Sequence, residues 1–265
     1  MSWSLWLGLA CALLAGPAAA SDAPSEEPIC ADRPAKGNST CTVPVGMLQL
    51  EIGAADWSLA KSGDTRIELL TIGSSFVKVG LSDRSDLEVG FTPFARLTVK
   101  QGTPYDRAAG FGDVVVRYKH RLTTDGANVE IALIPFAKLP TAAGELGNGK
   151  VEGGLAVPVG FDLGALTVTL GPEVDVLANL DGHGHHAAVA NLLNVGIPLA
   201  DGLTLAAELW ANVNFAPAET VKQASADLAV AYLLSNDVQL DAGANFGLTR
   251  DTPDTEFYAG VSVRF

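Results

Sequence analysis

Apolar and polar side chains alternate along this chain in stretches of ten residues or more. The last stretch, Thr255 to Phe265, is unbroken: Phe257, Ala259, Val261, Val263 and Phe265 fall on one side, and Glu256, Tyr258, Gly260, Ser262 and Arg264 on the other. Successive side chains of an extended strand point to opposite faces, so this pattern predicts a strand with one fully apolar face. Similar stretches run over Gly46 to Trp57, Thr65 to Leu81, Asp86 to Gln101, Phe111 to Leu122, Asn128 to Leu139 and Lys150 to Asp162. In the second half they run over Ala165 to Leu180, His186 to Leu199, Leu203 to Ala216, Lys222 to Leu234, Val238 to Thr249 and Thr255 to Phe265, which brings the total to twelve.

The length of these stretches separates two architectures that both alternate. Strands of soluble sandwiches usually have about five or six residues, whereas a strand crossing a bilayer needs about nine to eleven. After the amino-terminal region no apolar run is long enough to cross as a helix, although 48% of residues are apolar. In hydrocarbon every backbone donor and acceptor must be satisfied internally, so a chain without spanning helices crosses only as a closed sheet. The fold class expected is therefore all-β, a transmembrane antiparallel up-and-down barrel of about twelve strands. The connections agree. Short turn sequences at Ser82 to Ser85, Thr123 to Ala127, Leu163-Gly164, Ala200 to Gly202 and Ser235 to Asp237 alternate with generally longer ones at Gly102 to Gly110, Pro140 to Gly149 and Asp181 to His185. Short periplasmic turns and longer outer loops place both termini on the periplasmic side.

Residues 1–20 read as an export signal: Leu5 to Ala15 form a short apolar core, and Ala18 to Ala20 offer small residues for cleavage before Ser21. No Lys or Arg precedes Leu5, which leaves room for a start further upstream. Cys11 suggests a lipid anchor, but Gly8 stands where that motif wants Leu. Residues 21–45 are rich in Pro and charge and lack periodicity, and are expected to be a periplasmic segment preceding the barrel of residues 46–265. In an oxidising compartment Cys30 and Cys41 are most simply a disulfide, and a metal site there lacks neighbouring ligands such as His.

The final strand resembles the terminal strand of bacterial outer-membrane proteins. That resemblance implies an assembly signal at Phe257 and Phe265, read by the barrel-assembly machinery. Further motifs point to a family: Cys41 to Pro44, Phe111 to Val114 running into Tyr118-Lys119, Lys138 to Thr141, Gly147 to Lys150, Leu240 to Gly243 with Asn245, Gly247-Leu248, Thr252 to Asp254 and Phe265. In this order they resemble the outer-membrane family named for the MetA pathway of phenol degradation. The resemblance implies a bacterial outer-membrane barrel acting as a transporter, often for hydrophobic compounds, with outer-membrane lipid and a small-molecule solute as partners. It implies no catalytic residues. No cofactor and no nucleic-acid partner are expected of the chain.

Strand parity sends most charges inward, as the cost of charge against lipid requires. Arg66, Lys78, Arg96, Lys100, Arg117, Lys119 and Arg121 form a basic set; Glu152, Glu173, Asp175, Glu208, Asp227, Asp241 and Glu256 form an acidic one. Residues 60–138 contain 11 Lys and Arg against 9 Asp and Glu, while residues 139–265 contain 4 against 15. Chain order is angular order in an up-and-down barrel, so the two sets are expected as facing arcs with a transverse field across the lumen. Facing charges that simply pair and close the lumen are the alternative. No separate plug domain is evident in the sequence. Leu70, Ile72, Phe76, Phe94, Ile134, Phe136, Leu192 and Trp210 also count inward, as suits either a path for an amphipathic or aromatic solute or plain filling of space. His183, His185 and His186 with Asp181 are a weak candidate for a metal in an outer loop. No Ser near a histidine forms a hydrolase motif, so an enzyme is not expected.

Overall fold

The computed structural model describes residues 27–265 apart from 103–105 and 125. The export signal, its cleavage site and Cys11 lie outside the described residues. Seventeen strand segments hydrogen-bond into one closed antiparallel sheet. They are β1 (Leu48–Ser62), β2 (Thr65–Ile72), β3 (Ser74–Ser82), β4 (Ser85–Phe91), β5 (Phe94–Gln101), β6 (Asp106–Gly110), β7 (Val114–Arg121), β8 (Val129–Leu139) and β9 (Glu152–Ala156). Then follow β10 (Val159–Asp162), β11 (Thr167–Leu170), β12 (Glu173–Ala178), β13 (His185–Ala200), β14 (Leu203–Asn214), β15 (Val221–Ser235), β16 (Val238–Gly247) and β17 (Thr255–Arg264). Five pairs, β2 with β3, β4 with β5, β6 with β7, β9 with β10 and β11 with β12, are each one stave interrupted by a bend. The barrel therefore has the expected twelve staves.

The interruptions have local causes. Pro93, Pro158 and Pro172 lie in the gaps and cannot donate to a ladder. Gly73 adopts φ 72°, open chiefly to glycine, and its N–H reaches back to the Gly53 carbonyl at 2.9 Å, where β1 shifts register against β17 between Gly53 and Ala55.

The burial pattern is the inverse of a soluble core. Gln49, Glu51, Lys78, Asp86, Glu88, Lys119, Asp227 and Asp241 are buried, whereas Leu87, Leu209, Leu228, Val230, Phe246 and Phe257 are exposed. A wall with charge inside and aliphatic side chains outside belongs in a bilayer, and this is an outer-membrane barrel. The seam closes where Leu48 and Phe265 exchange backbone hydrogen bonds of 3.0 and 2.7 Å. Above it on the lipid side, Phe257 stacks on Trp57 and meets Phe246 edge to face. Phe265→Asp places a charge on that face beside the seam. We expect it to lower the heat-modifiable, membrane-fractionated form on gels, and normal surface levels of the variant would refute an assembly role.

Residues 27–44 depart from expectation. They run inside the barrel and turn back on themselves there, with Asp32, Arg33 and Lys36 bonded to Lys119, Asp241 and Asp227 of the wall, so the lumen has a plug built from a short segment.

Candidate functional site: the plugged lumen

The plug is anchored at its entry by the Ile29 N–H, which donates to the Asn236 carbonyl at 2.6 Å, and by Arg264, whose Nη2 donates to the Glu27 carbonyl at 2.6 Å. Cys30 and Cys41 are joined with their Cα atoms 6.3 Å apart, which closes the hairpin at its base. On the return path the Val43 N–H donates to Asp86 Oδ2 at 2.9 Å, and Val45 bridges to Gly80. A side chain at position 80 would run into the Val43 and Pro44 carbonyls, so the wall must be bare there.

Three side chains of the hairpin meet the two charged arcs in opposite senses. Asp32 faces the basic side, where Lys78 and Lys119 donate to its two oxygens, the latter at 2.8 Å. Burial pushes the Asp32 carboxyl up, but Lys119 and Lys78 outweigh it and hold the group well below the usual carboxylate range. The contact is thus complete above the ordinary carboxylate pKa, and is lost only as pH falls through the depressed value. Ser39 braces the same carboxylate with its N–H and hydroxyl at 2.8 and 2.7 Å. Glu51 accepts the backbone N–H groups of Asp32 and Arg33 at 3.1 and 3.2 Å.

Arg33 and Lys36 face the acidic side. The Arg33 guanidinium forms a fork on Asp241, with Nε and Nη2 at 3.0 and 2.6 Å, a geometry that Lys cannot reproduce. It lies against the paired glycines Gly53 and Gly260, and a Cβ at Gly260 would strike it. Lys36 donates to Asp227 at 2.8 Å and Ser225 at 2.9 Å. Its ammonium also sits 5.4 Å from the Trp210 ring centre, and its backbone N–H donates to Glu208 at 3.1 Å.

Of the charged residues singled out in the sequence, Lys78, Lys119, Arg121, Glu208, Asp227 and Asp241 are buried, and the lumen between them is occupied by the hairpin. The bipolar hairpin lies between the arcs and neutralises both at close range. Away from it, Arg66 and Lys100 pair with Glu68 at 2.6 and 3.1 Å, and Lys138 bridges Asp113 and Glu152 at 3.0 Å each. Arg121 donates to the Asp83 carbonyl at 3.0 Å. Glu256 accepts from Asn245 at 2.8 Å, Glu173 and Asp175 line a cavity beside Phe136, and Arg96 sits half-buried across from Leu70.

Several cavities flank the hairpin. One, of about 290 Å³, is lined by Ser74, Phe76, Thr92, Val115 and Arg117 together with Lys36 to Asn38. A second, of about 230 Å³, is lined by Asn38, Arg117, Ile134, Phe136, Glu173 and Leu177. A third, of about 180 Å³, is lined by Gly37, Asn38, Ser39, Thr167, Leu192 and Asn194. A fourth, of about 520 Å³, lies at the Pro172 break and mixes Leu192 and Trp210 with the outer-face residues Leu193 and Leu209. Five of the apolar residues counted inward, Phe76, Ile134, Phe136, Leu192 and Trp210, line these spaces, while Ile72 and Phe94 pair beside the break at Gly73. At the β12–β13 connection, His186 Nδ1 of β13 pairs with Asn179 Oδ1 at 2.7 Å, and His183 and His185 are exposed. Among the described residues no three His, Cys, Asp or Glu converge on a point.

Asp32, Arg33 and Lys36 were missed by sequence reasoning. The available signal was an acid followed by two bases between two half-cystines, in a chain whose second half carries excess acid.

A closed, lipid-facing barrel with a charged lumen defines the class: an outer-membrane β-barrel protein. Within it, the chain belongs to the family described as "Putative MetA-pathway of phenol degradation", whose model matches residues 31–265. An outer membrane channel from Pseudomonas putida F1 is similar in fold, with a TM-score of 0.70 at 15% identity over 88% of this chain and 100% of that one. The translocator domain of the autotransporter NalP from Neisseria meningitidis gives 0.54 at 12% identity over 88% and 90%, and the NanC porin 0.51 at 11% over 82% and 98%. No curated protein matches the chain.

Proposed function

We propose that the protein is a passive, non-enzymatic outer-membrane channel for small amphipathic or aromatic solutes, closed at rest by its own amino-terminal hairpin. The observation that carries this reading is the hairpin's construction. It is held to the wall by ion pairs and hydrogen bonds, which exchange with water at modest cost, and Arg33 and Lys36 keep partial solvent access, with side chains 22% and 27% exposed. A permanent filler would be expected to pack by apolar contact, as protein interiors do. Cavities with both rings and charge beside the tip suit a solute that has an apolar body and a polar end.

The plug itself favours a second reading, a barrel permanently closed and structural in role. Planar-bilayer recording of the purified protein separates the two. On the channel reading, currents are rare in dilute salt and openings become more frequent as salt is raised, because ions screen partly exposed pairs. A flat record at every salt concentration, persisting when Arg33 and Lys36 are replaced by alanine, would leave the structural barrel as the answer.

A further inference from the structure

We infer that Arg117, Phe76 and the hairpin tip form a binding subsite for a small monoanionic solute with an apolar body, of the single-ring carboxylate kind. The inference rests on the channel reading and names the substrate class for that lumen. The Arg117 guanidinium lies 4.1 Å from the Phe76 ring centre. That ring in turn rests on Gly90, its cross-strand partner, where a Cβ would lie 2.5 Å from a ring carbon. Glycine, ring and guanidinium therefore form a fixed stack on the wall, and one face of Arg117 is held by cation–π attraction. At the edge of the stack, Nη1 donates to Asn38 Oδ1 of the hairpin tip at 2.9 Å.

Charge compensation singles Arg117 out. The other charged groups lining the same cavity all have close partners: Asp32 with Lys119 at 2.8 Å, Arg33 with Asp241 at 2.6 Å and Lys36 with Asp227 at 2.8 Å. Glu51 has Lys78 at 2.6 Å, and Asp113 has Lys138 at 3.0 Å. The carboxylate paired with Arg117 is Glu88 at 3.9 Å, which already faces Lys78 and Lys119 at 3.6 and 3.5 Å. Arg117 is thus a positioned cation with spare donors. A guanidinium presents five donors in a rigid fork suited to carboxylate, and Phe76 and Val115 supply an apolar surface beside it. The cavity, about 290 Å³, is at the small end of ligand pockets, which start near about 300 Å³, so the body it accepts is small. Arg117 also borders the second cavity, where Ile134 and Phe136 stand beside Glu152, Glu173 and Asp175; those acids disfavour an anion, so the subsite is the first cavity alone.

The test is calorimetric titration of the full-length protein in detergent micelles with benzoate, its neutral counterpart benzyl alcohol, and acetate. Benzoate should bind about tenfold or more tighter than either, since a charge-assisted contact and ring burial each add to the other. Arg117→Gln should remove the preference for benzoate over benzyl alcohol and leave benzyl alcohol unchanged, Arg117→Lys should keep part of it, and Phe76→Leu should weaken both aromatic ligands. Equal binding of benzoate and benzyl alcohol to the wild type overturns the site, as does benzoate binding that survives Arg117→Gln. Acetate binding as well as benzoate would mean a bare anion site and equally refute the proposal. The wild-type comparison stands even if a variant fails to fold. Loss of binding alongside normal conductance sinks the subsite alone, whereas binding without conductance sinks the channel reading instead.

Discussion

Replacing Arg33 and Lys36 together by alanine is expected to convert a nearly silent protein into one that conducts steadily in planar bilayers. The substitution leaves Asp241, Asp227 and Glu208 facing a hairpin with no cation. Of these, the Asp241 side chain has no exposure and that of Asp227 5%. Breaking a fully buried pair by removing one partner costs about 3–5 kcal/mol. Because both cations here are partly exposed, the cost is discounted to about 1–2 kcal/mol for each pair. The sum, about 2–4 kcal/mol, is relieved when the hairpin withdraws and water reaches the carboxylates. At about 1.4 kcal/mol per tenfold, the released population rises by between one and three orders of magnitude. Single-channel recording at fixed salt measures this directly, with the Cys30–Cys41 disulfide intact so that the hairpin departs as a unit. A double variant that inserts normally yet stays as silent as the wild type would show that the hairpin is not a latch.

The barrel was legible in the sequence because each stave carries its signal locally. Leu87, Val89 and Phe91 against Asp86, Glu88 and Gly90 define a face without reference to anything outside β4, and the inward charges confirm the register. The staves continue through Pro93, Pro158 and Pro172, since the alternation resumes beyond each; what the pattern did not show is that the ladder bends there. The hairpin was not legible for the opposite reason. Residues 27–44 have no period, and their position is set by partners far along the chain: Arg33 reaches Asp241, 208 residues away, and Lys36 reaches Glu208, 172 residues away. Such contacts leave no local pattern. A global one remained, because the surplus acid of residues 139–265 needs a counter-charge and the residues supplying part of it lie between the two cysteines. The expected transverse field took no account of the segment that lies across the lumen, because Asp32, Arg33 and Lys36 stand in a stretch without strand periodicity.

That surplus acid sets the second large effect, the ion selectivity of the released pore. With the hairpin in place, Asp241 and Asp227 are neutralised by Arg33 and Lys36 while Asp32 occupies Lys78 and Lys119. Withdrawal restores the lysines to Glu51 and Glu88, which lie within 3.6 Å of one or both, so the basic arc stays largely compensated by its own wall. The acidic arc has no such reserve, because residues 139–265 carry 15 acids against 4 bases. Charge in a narrow pore with low-dielectric walls acts strongly on passing ions. Currents through the Arg33→Ala/Lys36→Ala variant should therefore be carried mainly by cations, with a reversal potential in a salt gradient displaced toward the cation limit. Adding Asp227→Asn and Asp241→Asn should move that potential back toward zero while leaving the conductance open. If the two variants reverse at the same potential, or if the first prefers anions, the acidic arc does not face the permeation path and ions cross by another route through the wall.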